Sequence, residues 1–250
     1  MASFLWDHTV HYVNNLDRAI DIFKENGLIA FHGGSHTDWG TYNALSYFGL
    51  TYIEFLGIED EDLVEKTDTT NVIVKEAPVF LPENEGFGRI ALRTNDIDAV
   101  YDALKEKGLD LNPIIDGRRM NAQGQLIEWR MMTINGDFQG ILYPFIIQWN
   151  GNDEERLSAM KKSGVIQPHP AGETTIEKAV FIANDPEAVS SHWNTLFQLE
   201  KAGENTLKIG SQFFEFKQGP SSGMKQIVFR TNGHLQGKSF KIGNGEYLFK

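Results

Sequence analysis

The stretch "HGGSHTDWGTYNAL", His32 to Leu45, concentrates side chains able to do chemistry. Its glycines permit a tight path, but a turn needs neither His36 nor Trp39. An imidazole titrates near neutrality and can donate or accept a proton. An indole offers a flat apolar wall. Farther along, Arg89 carries a fixed fork of N–H donors suited to a carboxylate or another oxyanion. Other polar residues carry plainer expectations. His11 lies three positions from His8, faces the other side of its strand and is expected to be structural. His32 is expected at a strand end, and His192, beside Trp193, on the exposed side of a helix. Glu128 and Trp129 in "LIEWRMM" fit an alternating strand with one wet face.

Composition bounds what such residues can belong to. The chain has 250 residues, 41% hydrophobic and 23% charged, which is ordinary for a globular protein of one large or two average domains. No apolar run reaches the roughly 20 residues that span a bilayer, and no signal peptide is evident, so no membrane partner is expected. The chain lacks cysteine, which excludes disulfides and all thiolate chemistry and fits a cytoplasmic protein. With 34 acidic against 23 basic residues the net charge is −11, so nucleic acid is a poor partner. "GIEDEDLVEK" is expected to be a solvated acidic loop. The chain also lacks a Gly-rich phosphate loop, a serine nucleophile elbow and an HExxH pattern.

The elements that must position these residues repeat. "DHTVHYVNNLDRAIDIFKENG", "GRIALRTNDIDAVYDALKEKG" and "EKAVFIANDPEAVSSHWNTLF" each read as a strand, a capping residue and an amphipathic helix. Counted from His8, Arg89 and Lys178, the caps fall at Asn15, Asp96 and Asp185. Acids follow two positions on, at Asp17, Asp98 and Glu187, where the helix dipole favours them. Leu16, Ala19, Ile20 and Phe23 form one apolar face, as do Ile97, Val100, Tyr101 and Leu104. Gly27 and Gly108 end these helices. Strand-like segments follow each helix, among them "YNALSYF" and "TYIEFLGI", then "GILYPFIIQW", then the shorter "QFFEFKQ". "KQIVFRTNG" starts a fourth copy with no helix after it. The spacing predicts an α+β fold of βαβββ modules: two at residues 1–150, a linker at 151–172 and a shortened pair at 173–250.

The repeats, "GGSHTDWGTYNAL" after the first helix and "YIEFLGIED" as closing strand resemble the vicinal-oxygen-chelate superfamily, and within it the glyoxalase-like-domain proteins. The resemblance covers residues 4 to 150 well and the last hundred weakly. It implies paired modules closing an open barrel around a cavity, with metal ligands from the first and last strand of each module. His8 and Glu54 match the first pair of ligand positions, and Glu54 and His36 would then move protons. Thr41 and Asn43 would line the same wall as Trp39. The second module departs, with Arg89 at the first-strand position and Gln148 of "PFIIQW" in the last strand.

A permanently charged guanidinium cannot be a ligand and opposes a dication in a low-dielectric cavity. The economical arrangement is an Arg89–Glu54 ion pair in place of a divalent metal, matched by Lys178–Glu215 in the C-terminal half. Three functions remain open. One is a metal-using lyase, isomerase or ring-cleaving oxygenase acting on a small oxygenated molecule. The second is a metal-free binding or sequestration protein with Arg89 as anchor for a small anion, and with Gln148, Trp39, Thr41 and Asn43 around it. The third is a structural or partner-binding role. The superfamily's module sharing implies a monomer or a homodimer.

Overall fold

The computed structural model describes residues 3–68, 70–120, 124 and 126–250. The first module comprises β1 (Leu5–Tyr12), α1 (Leu16–Glu25), β2 (Phe31–His36), β3 (Thr41–Phe48) and β4 (Thr51–Ile58). After α2 (Glu61–Lys66) and α3 (Val72–Phe80) comes the second. It holds β5 (Gly86–Arg93), α4 (Ile97–Glu106), β6 (Ile115–Met120), β7 (Leu126–Met132), the short pair β8 (Asp137–Phe138) and β9 (Ile141–Leu142), and β10 (Phe145–Trp149). α5 (Asp153–Lys162) leads to β11 (Thr174–Ala183), α6 (Pro186–Phe197), β12 (Glu200–Gly203), β13 (Thr206–Ile209) and β14 (Gln212–Gln218). β15 (Gly223–Thr231), β16 (Ser239–Ile242) and β17 (Gly245–Phe249) close the chain as a fourth, helix-less copy.

The capping residues act as their types dictate. Asn15, Asp96 and Asp185 accept from the backbone N–H of Arg18, Ala99 and Ala188 at 2.9, 3.0 and 3.0 Å. Gly27 and Gly108 leave α1 and α4 with φ of 71° and 80°, a conformation that costs glycine little. Leu16, Ala19 and Phe23 bury one face of α1, and Ile97, Val100 and Leu104 one face of α4.

Strands β1 to β7 and β10 form one sheet in the order β2-β3-β4-β1-β5-β10-β7-β6, and β11 to β17 a second in the order β12-β13-β14-β11-β15-β17-β16. The first sheet curls until its edges meet. A Cβ on Gly34, whose φ is 138°, would stand 2.5 Å from the Met120 carbonyl oxygen, so β2 and β6 approach this closely only over glycine. Inside the curl lies an apolar cluster with Val10, Tyr12, Leu56, Met131 and Ile147. Outside it, α1, α4 and the second sheet bury a larger core, with Trp6 against Phe214 at 5.4 Å and Phe23 against Tyr247 at 5.1 Å.

Three local expectations change. The acidic run is not a loop throughout: Asp60 caps α2, and Val64 is buried. The 151–172 segment carries α5, with acids in its first turn and lysines in its last, which the helix dipole favours. His192 does not project into solvent but stacks on Phe138 at 3.9 Å, with Nε2 2.9 Å from the Tyr143 hydroxyl.

Candidate functional site

The interior of the first sheet opens into a pocket enclosing about 540 Å³ between its atoms, part of it continuous with solvent. β1 and β4 run parallel with Val10 beside Glu54, so His8 and Glu54 project inward together. His8 Nε2 lies 3.3 Å from Glu54 Oε2. A register shift between Trp6 and His8 breaks the alternation of β1, and His8 Nδ1 thereby sits 2.7 Å from the buried Asp7 carboxylate. Asn43, inward-facing on β3, donates to Glu54 Oε1 at 2.6 Å. The imidazole stacks on Tyr52 at 4.5 Å and meets the edge of Phe145 at 5.3 Å.

Electrostatics follow from these contacts. Burial alone would lower the pKa of His8, but the carboxylates of Asp7 and Glu54 outweigh it and raise it to about 9. Burial would raise that of Glu54, but the hydrogen bond and charge of His8 hold it down to about 2. The pair is therefore imidazolium and carboxylate at neutral pH.

His36 lies on β2 rather than in the connecting loop, buried opposite Thr41, whose Oγ1 stands 2.9 Å from Nδ1. Burial depresses its pKa to about 4, so it is neutral at pH 7 instead of titrating there. Trp39, Trp129 and Trp149 form an arc, with successive ring centroids 6.3 and 5.8 Å apart. Leu56, Ile73, Val74, Met131 and Ile147 complete the apolar lining, and Asn71, Thr41 and Arg119 add polar groups. The Asn71 side-chain oxygen is buried without a hydrogen-bond partner among the described residues.

Two expected site residues stand elsewhere. Arg89 does not pair with Glu54 and does not line the pocket. Its Nε and Nη2 grip Glu76 of α3 at 2.9 and 2.8 Å, and its Nη1 donates to the Ile134 and Tyr143 carbonyls at 2.9 and 2.6 Å. Gln148 faces away from the pocket, and its side-chain oxygen accepts from the backbone N–H of Ile97 at 2.8 Å, satisfying the start of α4. Register shows why. Val10 pairs with Glu54 across β1 and β4, as Ala91 pairs with Phe145 across β5 and β10. Phe145 is therefore the counterpart of Glu54, and Gln148, three residues on, points to the opposite face.

The second sheet repeats the geometry. Val180 pairs with Glu215 and Lys178 Nζ lies 3.0 Å from Glu215 Oε2, the ion pair expected there. Val228 pairs with Leu248, so an apolar residue again fills the fourth position.

His36, Trp39, Thr41, Asn43, Glu54 and His8 thus come together, whereas Arg89 and Gln148 do not join them. Sequence reasoning passed over Asp7, Tyr52, Asn71, Arg119, Phe145 and Trp149, and assigned Trp129 to a wet strand. Alternation through "FIIQW" would have found two of these, since Phe145, Ile147 and Trp149 share a face.

The donor set can be tested against a divalent ion. Of the four equivalent positions, His8 and Glu54 are donors, Arg89 is a buried cation and Phe145 is apolar. Among the described residues no three His, Cys, Asp or Glu side chains are placed to hold a metal ion. Both His8 nitrogens face carboxylates. These residues do not fit the superfamily's metal.

Paired βαβββ modules curling a sheet around a cavity define a vicinal-oxygen-chelate fold. The chain belongs to the glyoxalase-like domain family, whose model matches residues 6–197. A hypothetical protein from Staphylococcus aureus is similar over 100% of this chain and 99% of its own, at 26% identity and a TM-score of 0.84. A variant of 4-hydroxymandelate synthase from Streptomyces coelicolor shares the fold over 94% of this chain and 73% of its own, at 10% identity and a TM-score of 0.58. A Streptomyces coelicolor methylmalonyl-CoA epimerase variant matches 60% of this chain and 100% of its own, at 19% identity and a TM-score of 0.45. No curated protein matches the sequence. No helix among the described residues is long and apolar enough to cross a membrane.

Proposed function

We propose that the N-terminal cavity binds a flat, largely apolar small molecule that donates a hydroxyl or N–H hydrogen bond to Glu54. The observation that carries this reading is the Glu54 carboxylate, held between His8 Nε2 at 3.3 Å and Asn43 Nδ2 at 2.6 Å in a cavity lined by three tryptophans. A carboxylate accepts about four hydrogen bonds, so each Glu54 oxygen keeps acceptor capacity beyond its protein partner. Trp39, Trp129 and Trp149 provide walls for a planar ring system, and Thr41 and Asn43 hold the polar groups in place. His8 supports Glu54, and Arg89 supports the wall of the barrel from outside the pocket.

Proton transfer is the second reading, favoured by His36. Its Nδ1 is fixed on Thr41, and an imidazole neutral at pH 7 is free to accept a proton at Nε2. Glu54, held at about 2, is the weaker base of the two.

The test is calorimetric titration with 2-naphthol and 2-methoxynaphthalene, a pair differing in the donor. The native protein should prefer the naphthol about tenfold, the worth of one charge-assisted hydrogen bond. Glu54→Gln should erase the preference, and Trp129→Ala should weaken both compounds. Binding of neither compound, or equal binding of both, overturns the proposal.

A further inference from the structure

A second cavity adjoins the first. It encloses about 1270 Å³ between its atoms, part of it open, and is walled by β2, β3, β7 and α5. The two cavities share Arg119 and Trp149. The outer one is apolar on one side, through Phe31, Leu45 and Met160, and carries the guanidinium groups of Arg119 and Arg156.

The two arginines differ in how their charge is used. Arg156 reaches Asp7 Oδ2 at 3.4 Å and lies over the Trp149 ring at 4.3 Å. Its charge is spent on the wall. Arg119 donates to the Gly33 carbonyl but, among the described residues, forms no ion pair. Every other arginine has a carboxylate within 4.0 Å: Arg18 has Glu25, Arg89 has Glu76, Arg93 has Asp153, Arg118 has Asp38, Arg130 has Asp98 and Arg230 has Glu177. In a chain of net charge −11 a half-buried guanidinium without a carboxylate is exceptional. One carbonyl uses a single donor of five, which leaves a planar fork free for an anion.

We infer that the two cavities are one elongated ligand site, and that Arg119 binds a carboxylate or phosphate group tethered to the ring held in the inner cavity. The inference rests on the proposed inner site and adds the ligand class: an amphiphilic organic anion with a flat head, a short apolar linker and an anionic end. The apolar side of the outer cavity takes the linker, and Trp149 forms the step between the compartments. Glu128, also on the outer wall, disfavours ligands carrying more negative charge than Arg119 offsets.

The experiment titrates the full chain with 6-hydroxy-2-naphthyl alkanoic acids having linkers of one to four methylenes, and with their methyl esters. The expected result is one linker length at which the acid binds about tenfold more tightly than its ester, with that margin shrinking in salt. Arg119→Gln should remove the margin while leaving ester binding in place, and Arg119→Lys should restore part of it. If Arg119 only closes the sheet through Gly33, Arg119→Gln will lower the melting temperature and leave the acid-to-ester ratio unchanged, which overturns the inference. Equal binding of acids and esters at every length overturns it too, with the inner site still supported by 2-naphthol. Failure of 2-naphthol and of every acid and ester removes both readings together.

Discussion

The Arg89 guanidinium grips the Glu76 carboxylate of α3, with Nη2 2.8 Å from Oε1, while its remaining nitrogen donates to the Ile134 and Tyr143 carbonyls. A cation at the first-strand ligand position of the second module is therefore consumed in fastening α3 across the barrel. Glu76 is largely buried and would be left without its partner if Arg89 were removed. Arg89→Met should destabilise the fold by about 3 kcal/mol, the usual cost of breaking a buried pair. Chemical denaturation measures it. The dissociation constant of 2-naphthol for the folded protein should stay within twofold, since Arg89 lies outside the pocket.

The donor set makes a second outcome specific. Protein purified without tag, chelator or added metal should carry well under one equivalent of transition metal by elemental mass spectrometry. Added nickel, zinc, manganese or iron should not raise its melting temperature. One equivalent lost on His8→Ala would reverse this conclusion, because two protein donors would then have sufficed.

Stability should also respond to acid through His11. It is buried against Phe55, Phe87 and Tyr247, with Nδ1 2.5 Å from the Tyr247 hydroxyl, and burial lowers its pKa from 6.5 to about 3. The unfolded chain therefore takes up a proton near pH 6.5 that the folded chain refuses until about pH 3. Stability falls as pH drops through that window, by roughly 3 kcal/mol between pH 6.5 and 4. Urea unfolding at pH 7 and pH 4 reads the difference. His36, also buried and held down to about 4, refuses its proton over much of the same window, so His11→Phe should remove about half of the slope, even where it shifts the absolute stability.

Lys178 and Glu215 offer a contrast between the two sheets. Their side chains are each 23% exposed, so solvent screens the pair. The double substitution Lys178→Met with Glu215→Leu should change stability by less than about 1 kcal/mol, far below the Arg89 effect. Thermal and denaturant melts of the two variants side by side check the ordering.

What the sequence alone determined was the repeat and its local chemistry. Asn15, Asp96 and Asp185 cap helices because a cap needs only a side-chain oxygen and an N–H three residues away. The Lys178–Glu215 pair was legible for a related reason: a parallel register carried over from His8 and Glu54 brings the two positions together. The shared inward wall of Thr41 and Asn43 followed from alternation along a short strand, whereas the inward position of His36 came from the family resemblance. The tertiary structure decided everything that depended on a chain reversal. The β8–β9 pair lengthens the second module and shifts the count, so Phe145 takes the place expected for Gln148; an odd offset in a strand turns a side chain to the other face. Arg89 found Glu76 instead of Glu54 because α3, an apolar segment between the modules, folds over the barrel and brings a carboxylate closer. Arg119 and Trp149, thirty residues apart, share one wall because β6 and β10 pair with opposite edges of β7. Caps and strand faces are short-range and read from neighbours, whereas ion-pair partners and cavity walls are chosen by which distant segments pack against the same core.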